Sequence, residues 1–557
     1  METKSFWSAL SGQTERVHGR RGKPAGRPAI IALVSIALVS PRRPWLVAVT
    51  LAGAWGCGSS GSGGNPAGPT SWTAGVFEAS STFAAQCATP RTGTDPATGK
   101  AYPDRPGSTL AENNWLRSWT HELYLWYREV PDVNPASYST ADYFNLLKTT
   151  ATTASGNPKD KFHFTYPTAQ WEALSQSGVE AGYGAQWVIV ASRPPRQVVV
   201  AYTEPNSPAT APSANLARGA QVLAVDGADL VNATDSASID KLNAGLFPSA
   251  PGGTHTFSIL DLGATAPRTV TMVAANVTST PVQDVETIGT RTGTVGYMLF
   301  NDHIATAEQL LVSAFGQLSA AGVSDLVLDL RYNGGGYLDI ASEVAYMVAG
   351  PGPTTGQAFE KTVFNDKYPT MDPVTGAALT PVPFHATSQG FSGPRGQALP
   401  TLNLSRVIVL TSSNTCSASE SIVNGLRGVG VQVIQIGTTT CGKPYGFYPA
   451  DNCGTTYFSI EFQGVNAKGF GDYPDGFSPA NSVGSVGVVA PGCSVSDDFT
   501  HALGDPAEGR LAAALGYRAD QSCPAAASAR PGVVRDWSAA DGVAHKSPWR
   551  ENRILRR

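Results

Sequence analysis

The sequence predicts an α/β fold over residues 279–525, preceded by a β-rich domain at 178–278 and a helical region at 80–177. Three observations carry this. From Gly293 onward, strand-length apolar runs alternate with helix-length segments, the pattern of a layered α/β core. Between 178 and 278, short Val/Ile-rich runs are separated by Asp-Gly, Gly and Pro turn signals, which reads as sheet. Between 80 and 177, Leu116, Trp119, Leu123 and Trp126 recur at three- and four-residue steps, which places them on one helix face.

Taken in order, residues 1–57 read as a targeting segment and not as fold. Two apolar runs, 29–40 and 45–56, are split by Pro41-Arg-Arg-Pro44. Each is shorter than the roughly 20 apolar residues that span a bilayer. The second run has arginines, a short apolar stretch and small residues before Cys57, a layout that resembles a bacterial lipoprotein signal. Cys57 is then the expected lipidation site, and a start near Val39 would give a compact signal peptide. Residues 58–79 begin Gly/Ser-rich and read as a flexible tether.

In the helical region, the helix bearing Leu116 to Trp126 is expected to stop at Pro131, and a second helix to cover Thr140–Leu147. In the β-rich domain, strands are expected at Val188–Val190, Val198–Tyr202, Gly219–Gly227, Thr254–Leu262 and Arg268–Val273, with a short helix-like stretch at Ala211–Arg218. Ser207-Pro-Ala209, the Val-Asp-Gly turn at 227 and the Gly182-Tyr183-Gly184 turn make this domain resemble a PDZ domain of the bacterial protease type. Such domains take an extended C-terminal peptide by strand addition, which would make Gly182, Tyr183 and Gly184 peptide-binding positions. In the core, strands are expected at Val295–Phe300, Asp325–Leu330, Val407–Thr411 and Val431–Ile436, with helices at Thr306–Ala320, Leu338–Val348 and Ser417–Arg427. Residues 351–400, rich in Pro, Gly and Thr, read as a long excursion over that core, and 526–557 as a C-terminal tail.

Composition bounds the function. The chain has 557 residues, a net charge of -4, and 15% charged residues. That excludes a basic footprint for nucleic acid, and the low charged share fits an extracytoplasmic protein. The seven cysteines contain no CxxC and the eight histidines are scattered, so no metal site is expected. With Cys57 set aside for lipidation, the other six allow three disulfides in an oxidising compartment.

The chemistry concentrates in one stretch. Ser417 follows an apolar strand and opens a helix, where unpaired N–H groups and a partial positive charge can stabilise an oxyanion. Ser417-Ala-Ser-Glu420 is equally a capping box, and on that segment alone capping is the simpler reading. Asn333-Gly-Gly-Gly336 ends another strand and can offer bare amides to the same oxyanion. Lys443 follows the next strand. A lysine held there out of water has its ammonium form disfavoured and can take a serine proton. A solvated surface lysine is the plain alternative.

The combination of Leu328-Asp-Leu-Arg-x-Asn-Gly-Gly-Gly, Ser417-Ala-Ser-Glu420 and Thr-x-Gly-Lys443 resembles the C-terminal processing (tail-specific) peptidases, a family of Ser-Lys serine peptidases with a PDZ domain. The resemblance covers about Trp115 to Cys523 and includes the closing Leu503-Gly-Asp-Pro-Ala-Glu508. It implies a ClpP/crotonase-like catalytic core with an inserted or preceding PDZ-like domain. It also implies Ser417 as nucleophile, Lys443 as base and Glu420 as a supporting carboxylate. Ala418 and one of Gly334, Gly335 or Gly336, with Gly335 favoured, would form the oxyanion hole. No cofactor or metal is implied. The expected partners are polypeptides with accessible C-termini and a membrane reached through the lipid anchor, and the expected place is the bacterial periplasm or cell envelope.

The serine-to-lysine segment is one residue longer than usual in the family, which Gly428-Val-Gly430 would absorb. Cysteines beside both catalytic positions imply a disulfide-containing branch. Cys441 with Cys453, Cys493 with Cys523, and Cys87 with Cys416 are the expected pairs, among fifteen possible connectivities. Cys416 as nucleophile, and His303 or His385 near the site, are alternatives. A non-catalytic peptide- or lipid-binding scaffold, or a module like the interphotoreceptor retinoid-binding proteins, would share this core.

Overall fold

The computed structural model describes residues 72–96, 98–524, 543–544 and 553–554. The expected targeting segment, Cys57 and most of the tether lie outside these. Among the described residues no helix is long and apolar enough to cross a membrane.

Helices α1 (Thr109–Leu123) and α2 (Thr140–Leu146) are each opened by a serine whose side chain accepts a main-chain N–H, Ser108 and Ser139. The strand β1 (Phe164–Pro167) and helix α3 (Thr168–Ser177) follow. The aromatic face of α1 is core: Trp115, Leu116 and Trp119 pack with Tyr143, Phe144 and Tyr457. Trp126, expected on the same helix, lies beyond its end. Leu125 donates its N–H to Ile460 O at 2.8 Å, so a tertiary bond takes the chain out of the helix before Pro131 is reached.

The β-rich domain has β2 (Ala185–Ala191), β3 (Gln197–Thr203), β4 (Gln221–Val225), helix α4 (Ser236–Leu246), β5 (Thr254–Leu260) and β6 (Arg268–Val273). The sheet order is β6-β5-β4-β3-β2 and these neighbours are antiparallel. Trp187, Val200, Val222, Phe257 and Ile259 form its core with Leu242 and Leu246 of α4. The stretch Ala211–Arg218 is not helical; Leu216 donates back to Ala209 O and Asn215 sits at φ 39°, which closes a turn.

The core sheet contains β7 (Val282–Thr290), β8 (Gly293–Phe300), β9 (Asp325–Asp329), β11 (Arg406–Thr411), β12 (Gln432–Gly437) and β14 (Gly492–Ser494), in that order. Only β7 runs antiparallel to its neighbour. Helices α5 (Ala307–Ala320), α6 (Leu338–Ala349) and α7 (Ala418–Gly428) cover one face through Leu311, Val344 and Ile422 against Leu328, Val409 and Val433. Helix α8 (Gly509–Asp520) covers the other, with Leu511 and Ala514 against Val327, Ile408 and Ile434. Strands buried on both faces read as continuous apolar runs, which is why Leu326–Leu328 and Val407–Leu410 lack polar alternation. The glycine turn carries the short strand β10 (Gly336–Tyr337), and Thr455–Phe458 forms β13.

A strand pairing and a disulfide are among the ties that hold the helical region to the core. β1 pairs antiparallel with β13, and Cys87 is bonded to Cys453. The expected pairings Cys441–Cys453 and Cys87–Cys416 are therefore corrected: Cys416 joins Cys441, with Cα atoms 5.2 Å apart, while Cys493–Cys523 forms as expected. Cys441 donates its N–H to Thr415 O, so the two loops lie side by side and the nearest sulfur to Cys441 is Cys416.

Candidate active site

The serine loop is built from the end of β11. Thr415 donates its hydroxyl to Leu330 O, Cys416 donates its N–H to Asn333 O at 3.1 Å, and Ser419 donates its hydroxyl to the same carbonyl at 3.0 Å. These bonds sew the loop to the glycine turn after β9. Ser417 is fully buried at the mouth of α7 and adopts φ 57° and ψ -113°. A non-glycine residue in that region is strained by roughly 1–3 kcal/mol and persists only where its surroundings hold it. Ala418 is the first helical residue, and N–H groups of a first turn have no intrahelical acceptor.

The glycine turn touches this serine. A Cβ built on Gly335, at φ 113°, would lie 2.9 Å from Ser417 Cβ and 3.0 Å from Ala418 N. Only bare backbone fits there. Gly335 donates its N–H to Asn333 Oδ1 at 3.0 Å. His303 Nδ1 lies 2.9 Å from the same oxygen, and Asn333 Nδ2 donates to Phe300 O, so Asn333 Oδ1 accepts twice and His303 carries its proton on Nδ1. His303 N donates to Gly335 O. In a trans peptide the N–H opposes the carbonyl, so Gly336 N–H points away from His303, toward the opposite edge of β10.

Behind the turn, Arg331 is fully buried and donates to Asp329, Asp497 and Glu508, the last in a two-pronged pair at 2.7 and 2.9 Å. Burial alone would raise the Asp497 and Glu508 carboxyls. The guanidinium charges, Arg218 and Arg331 for Asp497 and Arg331 for Glu508, outweigh it and hold both below the usual carboxylate range. Glu508 belongs to the closing motif, so two distant sequence motifs meet in one ion cluster under the turn.

Glu420 joins the serine to the lysine. Its Oε2 accepts the main-chain N–H of Ser417 at 3.0 Å and of Lys443 at 2.8 Å; its Oε1 accepts Gly442 N–H at 2.9 Å and the Thr440 hydroxyl at 2.5 Å. One carboxylate oxygen therefore hangs both backbones. Glu420 caps the helix and also positions the Lys443 loop. Burial raises its carboxyl, and bonds from Thr440, Lys443, Gly442 and Ser417 offset part of that rise.

Lys443 is fully buried, with Nζ 4.5 Å from the Phe162 ring centre and 4.9 Å from that of Phe447. The Cys416–Cys441 disulfide ties the residue before Ser417 to the loop two residues before Lys443. It also removes Cys416 as a nucleophile, since its sulfur is bonded. Cys416, Glu420 and Cys441 are grouped closely enough to hold an ion, but the two sulfurs are bonded to each other.

Gly182, Tyr183 and Gly184 lie in the β-rich domain, just before β2. Tyr183 turns inward, donating its hydroxyl to Gly245 O at 2.9 Å, and Gly184 O accepts from Glu204 N. His385 is paired with Asp339 at 2.8 Å, at the start of α6. Sequence reading missed Lys161, whose Nζ donates to Cys441 O at 3.0 Å, and Phe162. No local pattern marks them, because they reach the site from the helical region.

Residues 293–446 match peptidase family S41, and residues 111–166 match the peptidase S41 N-terminal domain. A carboxyl-terminal-processing protease of Picosynechococcus sp. is 26% identical over 278 residues, which is 48% of this chain. The chain spans only 56% of that relative's length. An S41 protease structure from Bacteroides fragilis aligns at 23% identity with a TM-score of 0.54, covering 76% of this chain and 98% of that one. It shares the fold. The photosystem II D1 C-terminal processing protease aligns at 18% identity and a TM-score of 0.39, over 68% of this chain and 94% of that one. The resemblance to the C-terminal processing peptidases drawn from the motifs is borne out by these matches.

Proposed function

We propose that this chain is a serine endopeptidase in which Ser417 attacks the scissile carbonyl and Lys443 takes its proton. The observation that carries the reading is the shared carboxylate: Glu420 Oε2 accepts the N–H of both residues, with Ser417 strained at a helix start against bare glycine backbone. Full burial penalises a charged amine. A neutral Lys443 can accept the hydroxyl proton as the tetrahedral adduct forms, then deliver it to the leaving amine. Water hydrolyses the acyl-enzyme with the same amine as base.

The oxyanion takes a bond from Ala418 N–H. Because Gly335 N–H is engaged with Asn333, the second donor is Gly336 N–H, which faces away from His303. The β-rich domain at 178–278 acts as a PDZ-like module whose strand β2 receives the substrate's C-terminal residues by strand addition. Three disulfides support an oxidising, extracytoplasmic compartment, and Cys57 is the proposed lipid attachment point.

Unstructured casein is the test substrate. Ser417→Ala and Lys443→Ala are each expected to lower fragment release at least ~1,000-fold, in line with the loss of one member of a catalytic set, with near-ultraviolet circular dichroism unchanged. Cleavage by Ser417→Ala at the wild-type rate sinks the assignment.

A further inference from the structure

We propose that the chain's own C-terminal segment occupies the track a polypeptide substrate would take, so that the full-length protein restrains itself. This rests on the peptidase reading above. Two backbone pairings carry it. Val543–Ala544 (β15) adds antiparallel to β2, with Val543 opposite Ile189 and Ala544 opposite Val188. Arg553–Ile554 (β16) adds parallel to β10, with Arg553 opposite Gly336 and Ile554 opposite Tyr337.

Neither edge is arbitrary. β2 is the edge strand after Gly182-Tyr183-Gly184, where an extended peptide adds by main-chain bonds. β10 is the glycine strand whose neighbour Gly335 touches Ser417. A single tail meets both edges, with its earlier residues at β2 and its later ones at β10, the reverse of the sense in which a substrate held by its C-terminal residues at β2 would run. The nine-residue step from Ala544 to Arg553 reaches at most roughly 30 Å when extended. The pairing at Gly336 also takes the edge to which its N–H points, away from His303, and so covers the proposed second oxyanion donor.

Tethering makes even weak pairing sufficient. The Cys493–Cys523 disulfide anchors the chain twenty residues before Val543. A segment on such a tether faces an effective concentration on the order of millimolar. Strand addition reads main-chain groups more than side chains, so the tail needs no special sequence to compete.

The test uses the full chain carrying Val543→Pro and Ile554→Pro, which removes two main-chain donors and fixes φ at both pairings. Amide hydrogen exchange is read at Ala185–Ala191 and Gly336–Tyr337 in a Ser417→Ala background, and casein cleavage in the Ser417 background. Exchange at both edges is expected to rise at least ~10-fold, casein cleavage to rise ~3- to 10-fold, and a synthetic peptide covering 541–557 to reverse both. Unchanged exchange at both edges overturns the pairing, whatever the activity. Faster exchange with an unchanged, measurable casein rate overturns the restraint. Protection that grows with protein concentration overturns the intramolecular arrangement and assigns the tail to a second copy. If neither the full chain nor the variant cleaves casein, the peptidase reading falls and the restraint with it, while exchange still decides the pairing.

Discussion

Glu420→Gln separates positioning from stability. The carboxylate accepts four bonds, two on each oxygen. The amide has one accepting oxygen and one nitrogen that can only donate. If its oxygen keeps Ser417 and Lys443, the nitrogen faces Gly442 N–H; if it turns over, the Ser417 and Lys443 N–H groups both face a donor. An orphaned buried N–H costs about 1–3 kcal/mol. Removing a buried charge returns a comparable amount, and burial is the larger influence on this carboxyl, since its affinity for a proton is raised despite four donors. The two nearly cancel, so stability should stay within about 1–2 kcal/mol of wild type by urea melting of tryptophan fluorescence.

Activity should not cancel. A displacement of the serine and lysine loops by a fraction of an ångström costs about 10- to 100-fold in kcat, with KM little changed because no substrate contact is removed. The pH dependence gives a second readout. The folded carboxyl is raised, so between its unfolded and folded values the native state binds more protons and stability rises as pH falls. Protonation there mimics the amide, so wild-type activity falls on the same acidification while stability gains, and Glu420→Gln lacks that activity limb. Wild-type kcat and an unaltered acid limb in Glu420→Gln would refute the positioning role.

Four further outcomes are expected. Glu508→Ala strips the paired acceptor from the buried Arg331 guanidinium and should destabilise by roughly 3–5 kcal/mol in urea. Because Asp497 and Glu508 are held below the usual carboxylate range, the stability they contribute is present at neutral pH and is lost as pH falls through and below that range; a flat stability profile down to pH 3 contradicts the cluster. Cys416→Ala with Cys441→Ala opens a loop with a sequence separation of 25, a loss of about 3 kcal/mol in the chain-entropy model. It should also lower kcat, whereas full activity in the double variant argues that the disulfide does not hold the two loops in register. Glu343, raised to about 9 by burial and by Glu308, makes stability fall as pH rises from the ordinary carboxylate range toward 9. Glu343→Gln should flatten that slope and raise the melting temperature at pH 8, and a steeper slope contradicts the assignment.

The parts legible in the sequence are those that local pattern determines. Leu326–Leu328 reads as a strand covered on both faces because it is an unbroken apolar run, and the structure puts Leu328 under the helices and Val327 against α8. Ser417 reads as a helix start from Ser-x-x-Glu, but the pattern does not reveal that Glu420 reaches past the cap to Gly442 and Lys443. That reach depends on where the chain returns twenty-odd residues later. The cysteine pairing failed for the same reason. Spacing favoured Cys441 with Cys453, yet strand register sets the Cys441 loop against Thr415 and carries Cys453 to the helical region, where Cys87 waits. Phe162 is the limiting case: it lies far from Lys443 in sequence, and it walls Lys443 because β1 pairs with β13. The same argument makes the helical region more than a spacer. If it dries the lysine pocket through Phe162, then Phe162→Ala should admit water beside Nζ and favour the charged amine. The alkaline shift of the activity optimum that follows would be measurable without any change in the serine, the glycine turn or Glu420.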